Sequence, residues 1–254
     1  MLNLRCAFTI AFAAIAILAG CANAPSSALA QQGGTYFILE VDAAALDQQD
    51  IENKVEQTAE VIRRRINPTG ELDIDVTRQP DHRILIRAEG GEDLDAIRRH
   101  IGVVGQLTFN LVREHDLGDD LPADAMLAQP YPGIGDSAVA VDRSPRLIGA
   151  RLAQVNPTTD PLTNEFVLAF RFDTEGARMF CQITRDHVGE RFAVLLDNQV
   201  LTAPRINEAI CGGSGQISGG FTAQSANDLA AVLRAGALPA PLILVEEGVY
   251  TDAD

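Results

Sequence analysis

Phe192-Ala193-Val194-Leu195-Leu196-Asp197-Asn198-Gln199-Val200-Leu201-Thr202-Ala203-Pro204 reads as two strands joined by a tight turn. Phe192, Val194 and Leu196 share one side by alternation, Asp197-Asn198-Gln199 is turn chemistry, and residues 200–204 form the returning strand. Before this hairpin, residues 174–188 place Ala177, Phe180, Cys181, Thr184 and Val188 on one helical face. Residues 166–172 precede that helix as a strand with Phe166, Leu168, Phe170 and Phe172 on one side. After the hairpin come a Gly-rich loop at 211–220 and a helix at 222–235, opened by Thr222 as cap. Ala226, Leu229, Ala230 and Leu233 face inward from that helix, and residues 242–245 make a final strand. The order is βαββαβ.

The same order occurs earlier in the chain. Residues 35–41 are a β-prone apolar strand, and residues 50–66 carry Ile51, Val55, Ala59, Ile62 and Ile66 on one helical face, ended by Pro68 and Gly70. Leu72, Ile74 and Val76 alternate with Asp73, Asp75 and Thr77, Pro80-Asp81 turns the chain, and residues 83–87 return. A helix at 93–102, with Leu94, Ile97 and Ile101 on one face, leads to an alternating strand at 107–111. Residues 114–145, with Asp116, Asp119 and Asp120 close together and four prolines, read as an irregular linker or insert. The expected fold class is therefore α+β. Two tandem ferredoxin-like units occupy 35–113 and 146–247, and residues 248–254 form a tail.

Composition narrows the function. Of 254 residues, 46% are hydrophobic but only 5% aromatic, so the core must be largely aliphatic. The formal charge of −15 repels phosphate backbones and anionic headgroups, which argues against nucleic acid as a partner.

The N-terminus reads as an export signal. One Arg in the first five residues precedes an uncharged apolar run, residues 6–18, too short to span a bilayer. Leu18-Ala19-Gly20-Cys21 closes it and resembles a bacterial lipobox, which makes residues 1–20 a lipoprotein signal peptide and Cys21 the lipidated residue. The alternative is an ordinary signal peptide cut after Ala24 or Ala30. Residues 21–34, rich in Ala, Ser, Gln and Gly, form a flexible tether. Two cysteines remain in the body. Cys181 and Cys211 can pair in an oxidising compartment, or Cys181 can stay a free thiol in a helix face.

Catalytic signatures are missing. His82, His100, His115 and His187 show no metal spacing, and the sequence has no H-E-x-x-H, C-x-x-C or G-x-S-x-G. Gly212-Gly213-Ser214-Gly215-Gln216 lacks the Gly-Lys-Ser/Thr of a phosphate loop and reads as a shaped turn. Asp73 and Asp75 form a D-x-D on an outward strand face, read as solvated, and Arg63-Arg64-Arg65 reads as a helix-end surface run. No enzyme activity, metal, cofactor or small-molecule substrate is expected.

Several stretches resemble one family. Residues 33–42 (Gly-Gly-Thr-Tyr-Phe-Ile-Leu-Glu-Val-Asp), 61–70 with Arg65-Ile66-Asn67, 105–112, Gly176-Ala177-Arg178, 192–204, 212–220 and Ala226-Asn227-Asp228-Leu229 follow the order of the SecD periplasmic region. Leu233-Arg234-Ala235-Gly236-Ala237-Leu238-Pro239-Ala240-Pro241-Leu242 is the most specific of them. The chain is similar to the first periplasmic domain of SecD over residues 33–247. It departs from the family pattern at Ala30-Gln31-Gln32, where the family has Asp-Leu-Arg.

The resemblance implies a base-like subdomain at 35–113 and a head-like subdomain at 146–247 that contacts emerging polypeptide. It also implies Sec translocon components or exported polypeptides as partners, and a position facing the periplasm. The membrane bundle that carries the family's proton-responsive groups has no counterpart here. The leading expectation is a lipid-anchored, non-catalytic binding module linked to protein export. The alternative is an envelope scaffold that reuses the fold. The expected contact surface is Val200, Leu201 and Thr202 with Gly213, Ser214 and Gly215. Ala22 after Cys21, where lipoproteins of this kind held at the inner membrane tend to carry Asp, favours the outer membrane.

Overall fold

The structure is a computed structural model and describes residues 33–42, 50–89, 93–114, 121–135 and 137–251. The expected signal peptide, Cys21 and nearly all of the expected tether lie outside the described residues. Among the described residues, no helix is long and apolar enough to cross a membrane.

In the first half the chain runs β1 (Gly34–Val41), α1 (Ile51–Ile66), β2 (Ile74–Gln79), β3 (Arg83–Glu89), α2 (Leu94–Ile101) and β4 (Leu107–Leu111). The middle holds β5 (Ala125–Ala128), β6 (Val139–Asp142) and β7 (Leu147–Ile148). The second half runs β8 (Leu152–Thr159), β9 (Phe166–Phe172), α3 (Thr174–Asp186), β10 (Phe192–Leu196), β11 (Gln199–Thr202), β12 (Ser214–Phe221), α4 (Ala223–Ala235) and β13 (Leu242–Tyr250). The helix starts follow capping chemistry. Asp93 accepts from the Ala96 N–H at 3.0 Å and Asp173 from the Gly176 N–H at 2.6 Å, while Thr222 and Ser225 close a reciprocal box. Gly236, at φ +90°, ends α4 in a conformation that strains an L residue.

The α+β class and the order of elements in the first half agree with the sequence reading, but the second half carries extra strands and the pairing of strands does not give two self-contained tandem units. The first sheet has the order β13-β1-β3-β2, so its fourth strand comes from the end of the chain and not from β4. Leu244 pairs with Leu39, and Leu242 with Val41. β4 joins a second sheet, β11-β10-β4-β7, because it must bury both faces. Leu107, Phe109 and Leu111 enter the aromatic core, and Asn110 donates from Nδ2 to the Asp142 carbonyl at 2.8 Å on the other side. A third sheet has the order β12-β9-β8, and β5 and β6 pair as a ribbon. The segment expected to be irregular, 114–145, thus contains a hairpin that covers Ala193, Leu195 and Val200. Three further differences concern β strands. β8 falls where no element was read, β12 occupies most of the expected Gly-rich loop, and β13 runs on to Tyr250 through the start of the expected tail.

Two main cores result. Phe37, Leu39, Ile62, Ile84 and Ile86 pack between the first sheet and α1. Phe109, Phe170, Phe172, Phe180 and Phe192 form the heart of the other, with edge-on ring contacts of 5.2–5.8 Å among Phe109, Phe170 and Phe172. With Phe221, six of the ten phenylalanines therefore sit in one cluster. Truncating Phe109, 1% exposed, to Ala costs about 3–5 kcal/mol. Helix α4 belongs to both cores: Ala226, Leu229 and Leu233 face the aromatic core, and Ala235 faces the first.

Candidate binding groove

A groove of about 590 Å³ opens where β11 meets β12. One wall is the backbone of residues 200–204, the other is Ser218-Gly219-Gly220, and the floor is the turn at 133–135. The local sequence explains the shape. Asp197 and Asn198 both adopt positive φ, 49° and 64°, which suits a two-residue hairpin turn and sends β11 back along β10. A Cβ on Gly135 would lie 2.3 Å from the Val200 carbonyl oxygen, and one on Gly219 would lie 2.7 Å from Ile134 Cγ2 and 3.0 Å from the Leu201 oxygen. Glycine at these two positions is what lets three backbone segments converge. Arg191 and Glu165 bring opposite charges to the rim, and Arg191 Nε donates to the Ala203 carbonyl at 3.1 Å.

The strand edge in this groove is already partly used. Val200 N–H donates to the Gln129 carbonyl at 2.8 Å, and the Val200 carbonyl accepts from Tyr131 N–H at 2.9 Å. Val200 and Leu201 bury their side chains, so they offer main chain to the groove, whereas Thr202 is half-buried. The other expected contact residues lie elsewhere. Gly213 is packed against Ala177, where an added Cβ would sit 2.4 Å from that side chain, and its carbonyl accepts from Phe172 N–H at 2.9 Å. Ser214 and Gly215 border a shallow concavity with Gln154, Asn156 and Arg171. The structure therefore unites Val200, Leu201 and Thr202 with residues 218–220, not with 213–215.

A second, apolar cavity of about 290 Å³ lies against Phe109, Phe170, Phe180 and Phe192, closed by residues 204–210. That closing loop is pinned at its end. Cys181 on α3 and Cys211 are joined as a disulfide with Cα atoms 4.3 Å apart, and Ile210 N–H donates to Thr184 Oγ1 at 2.8 Å. Among the described residues, no group of His, Cys, Asp or Glu is arranged to hold a metal.

Sequence reasoning missed the groups that join the two cores. Arg63 and Arg64 are exposed, as a helix-end run should be, but Arg65 is 1% exposed. Its guanidinium donates to the carbonyls of His100 (3.0 Å), Val103, Val104 (2.6 Å) and Gly236 (2.8 Å). Burial pulls its pKa down to about 10, with Asp197 opposing. Asp197 in turn accepts from the N–H groups of Gly105 (3.0 Å) and Gln106 (2.8 Å). Arg99 Nε meets Asp228 Oδ2 at 2.8 Å, tying α2 to α4, and His100 Nε2 lies 3.5 Å from Asp228 Oδ1.

Two family models cover most of this architecture. "SecDF, P1 head subdomain" matches residues 126–240, and "Protein translocase subunit SecDF, P1 domain, N-terminal" matches residues 55–114. The chain belongs to the SecD/SecDF P1-domain family. Protein translocase subunit SecD of Acetobacter pasteurianus is 42% identical over 195 residues, 76% of this chain and 37% of that protein. The SecD of Rickettsia conorii is 38% identical over 205 residues, 78% of this chain and 39% of that one. The chain thus spans under half the length of these SecD relatives. A crystal structure of SecDF in a super-membrane-facing form superposes with a TM-score of 0.72 at 27% identity, over 87% of this chain and 31% of that one. A structure of SecDF described as a membrane component that enhances protein export gives 0.66 at 26% identity, over 83% of this chain and 98% of that one. In this P1-type body the groove lies entirely within the stretch matched by the head model or on its rim.

Proposed function

We propose that this chain is a non-catalytic envelope module that holds extended polypeptide in the β11–β12 groove and works beside the protein-export machinery. The observation that carries the reading is the groove itself, a backbone-walled channel whose segments Gly135 and Gly219 allow to converge inside a P1-type head. A main-chain lining suits a client of varied sequence, because peptide groups are common to every exported chain. The adjoining phenylalanine cavity suits an apolar side chain of the same client.

The base-like part in this reading is residues 35–113 completed by β13, and the head-like part is residues 146–247. Lipidation at Cys21 would hold the body at a membrane, facing the periplasm, with the outer membrane favoured by Ala22. Sec translocon components and exported polypeptides are the proposed partners.

The test is photocrosslinking in living cells from a reactive residue at Ser218. Adducts with Sec subunits or with many exported proteins support the reading. Adducts with a single unrelated envelope protein, or none while the protein is folded and exported, would mean that the P1 body serves as a scaffold.

A further inference from the structure

The free edge of the first sheet is unusual. Among the described residues, four of the ten exposed large hydrophobic side chains lie on β13: Ile243 (53% exposed), Leu244 (48%), Val245 (45%) and Val249 (78%). β13 is nine residues long and, among the described strands, its residues 242–249 pair on one side only, with β1. Its outer edge presents main-chain donors and acceptors, and such an edge is a template for another strand. Register with β1 sorts the side chains. Leu244, Glu247 and Val249 fall on the helix side with Leu39, Phe37 and Thr35, while Ile243 and Glu246 fall on the opposite side with Glu40 and Ile38. Val245 stands at a bulge between these two runs.

Two charges decide what can pair there. Glu246 and Glu247 occupy the middle of the strand. Glu246 accepts from the Tyr36 hydroxyl at 2.5 Å, and Glu247 receives Arg98. These bonds fix both carboxylates beside the edge. A second copy of this chain pairing antiparallel about the centre of β13 would set Glu246 against Glu246 of the other copy, with −15 already on each chain. Like charges directly opposite destabilise a strand pair, and opposite charges stabilise it. The edge therefore selects against itself while leaving aliphatic side chains exposed on both of its faces.

We propose that β13 is a docking edge for one extended strand of a different protein, aliphatic on alternate positions and carrying Lys or Arg opposite Glu246 and Glu247. This surface lies outside the proposed polypeptide groove, which is built from residues 133–135, 200–204 and 218–220, so either can fail without the other.

The full chain, purified in detergent, is titrated with two fluorescent nine-residue peptides of alternating Val and Thr, one with two central lysines and one with two central glutamates. Hydrogen exchange is followed in both titrations. The lysine peptide is expected to bind, to slow exchange at residues 243–250, and to be lost on V245K or V249K, which replace exposed side chains and spare the fold. E246K should weaken the lysine peptide about three- to tenfold and favour the glutamate peptide instead. Equal binding of both peptides by the unmodified chain, protection away from β13, no binding, or self-association abolished by V245K would each overturn the proposal.

Discussion

Arg65 and Gly236 stand 171 residues apart in sequence and meet through one hydrogen bond, Arg65 Nη2 to the Gly236 carbonyl at 2.8 Å. The same guanidinium holds the Val103 and Val104 carbonyls, where the chain leaves the first sheet for the second. Gly236 lies where it comes back, and Leu238 N–H donates to the Val104 carbonyl at 2.8 Å beside it. One buried cation thus pins both crossings. Arg65→Ala leaves four carbonyls without this donor and should cost about 3–5 kcal/mol in urea unfolding. Arg65→Lys, with three donors and no planar fork, should cost about 2 kcal/mol. Unchanged midpoints for both variants would remove Arg65 from this role.

His100 gives a pH dependence of known sign. Burial holds its imidazole below the usual value, helped by Arg99 and Arg65 and opposed by Asp228. The folded state therefore binds a proton later than the unfolded chain as pH falls. Stability contributed by neutral His100 is complete above about 6.5 and declines as pH drops below it, towards the depressed folded value. Unfolding curves from pH 8 to 5 should show this loss in the unmodified protein and a smaller one in His100→Gln. Parallel curves would contradict it.

Gly219 controls the width of the groove. A Val there would drive its Cβ within 2.7 Å of Ile134 Cγ2 and should cost about 1–3 kcal/mol while pushing the groove's segments out of place. Gly212→Ala is the control, since nothing lies within 4 Å of an added Cβ. Affinity for an unfolded precursor should fall in the Gly219 variant and hold in the control, as read by anisotropy titration. Equal affinities would place binding elsewhere.

The Cys181–Cys211 bridge spans a sequence separation of 30 residues. By chain entropy, removing it should cost about 3.6 kcal/mol. A double Cys→Ser variant should unfold at correspondingly lower urea, and residues 204–211 should exchange faster. Thiol titration of the oxidised body showing both cysteines free would sink this expectation.

Much of this fold was legible because its elements are strongly periodic. Ile51, Val55, Ala59 and Ile62 announce α1, and the Asp197-Asn198 turn announces the β10–β11 hairpin. Strand partnership was not legible, because alternation says which face a strand buries and not which neighbour it meets. Leu107, Phe109 and Leu111 would alternate alike in either sheet, and only the coverage of Asn110 by β6 separates the two. The run Arg63-Arg64-Arg65 reads as surface because Arg63 and Arg64 are, although Arg65 follows Ile62 by three residues and so shares its helix face. That spacing was the signal available. Gly213 and Gly219 lie in one Gly-rich run, but β12 carries them to different ends of a strand, which composition cannot reveal.

The most direct test of polypeptide binding is hydrogen exchange of the whole chain with and without an unfolded precursor protein. Slower exchange confined to residues 129–135, 200–204 and 218–220, and lost in Gly219→Val, is the expected result. A precursor that binds without protecting those segments, or fails to bind the folded chain at all, would contradict the groove as its seat.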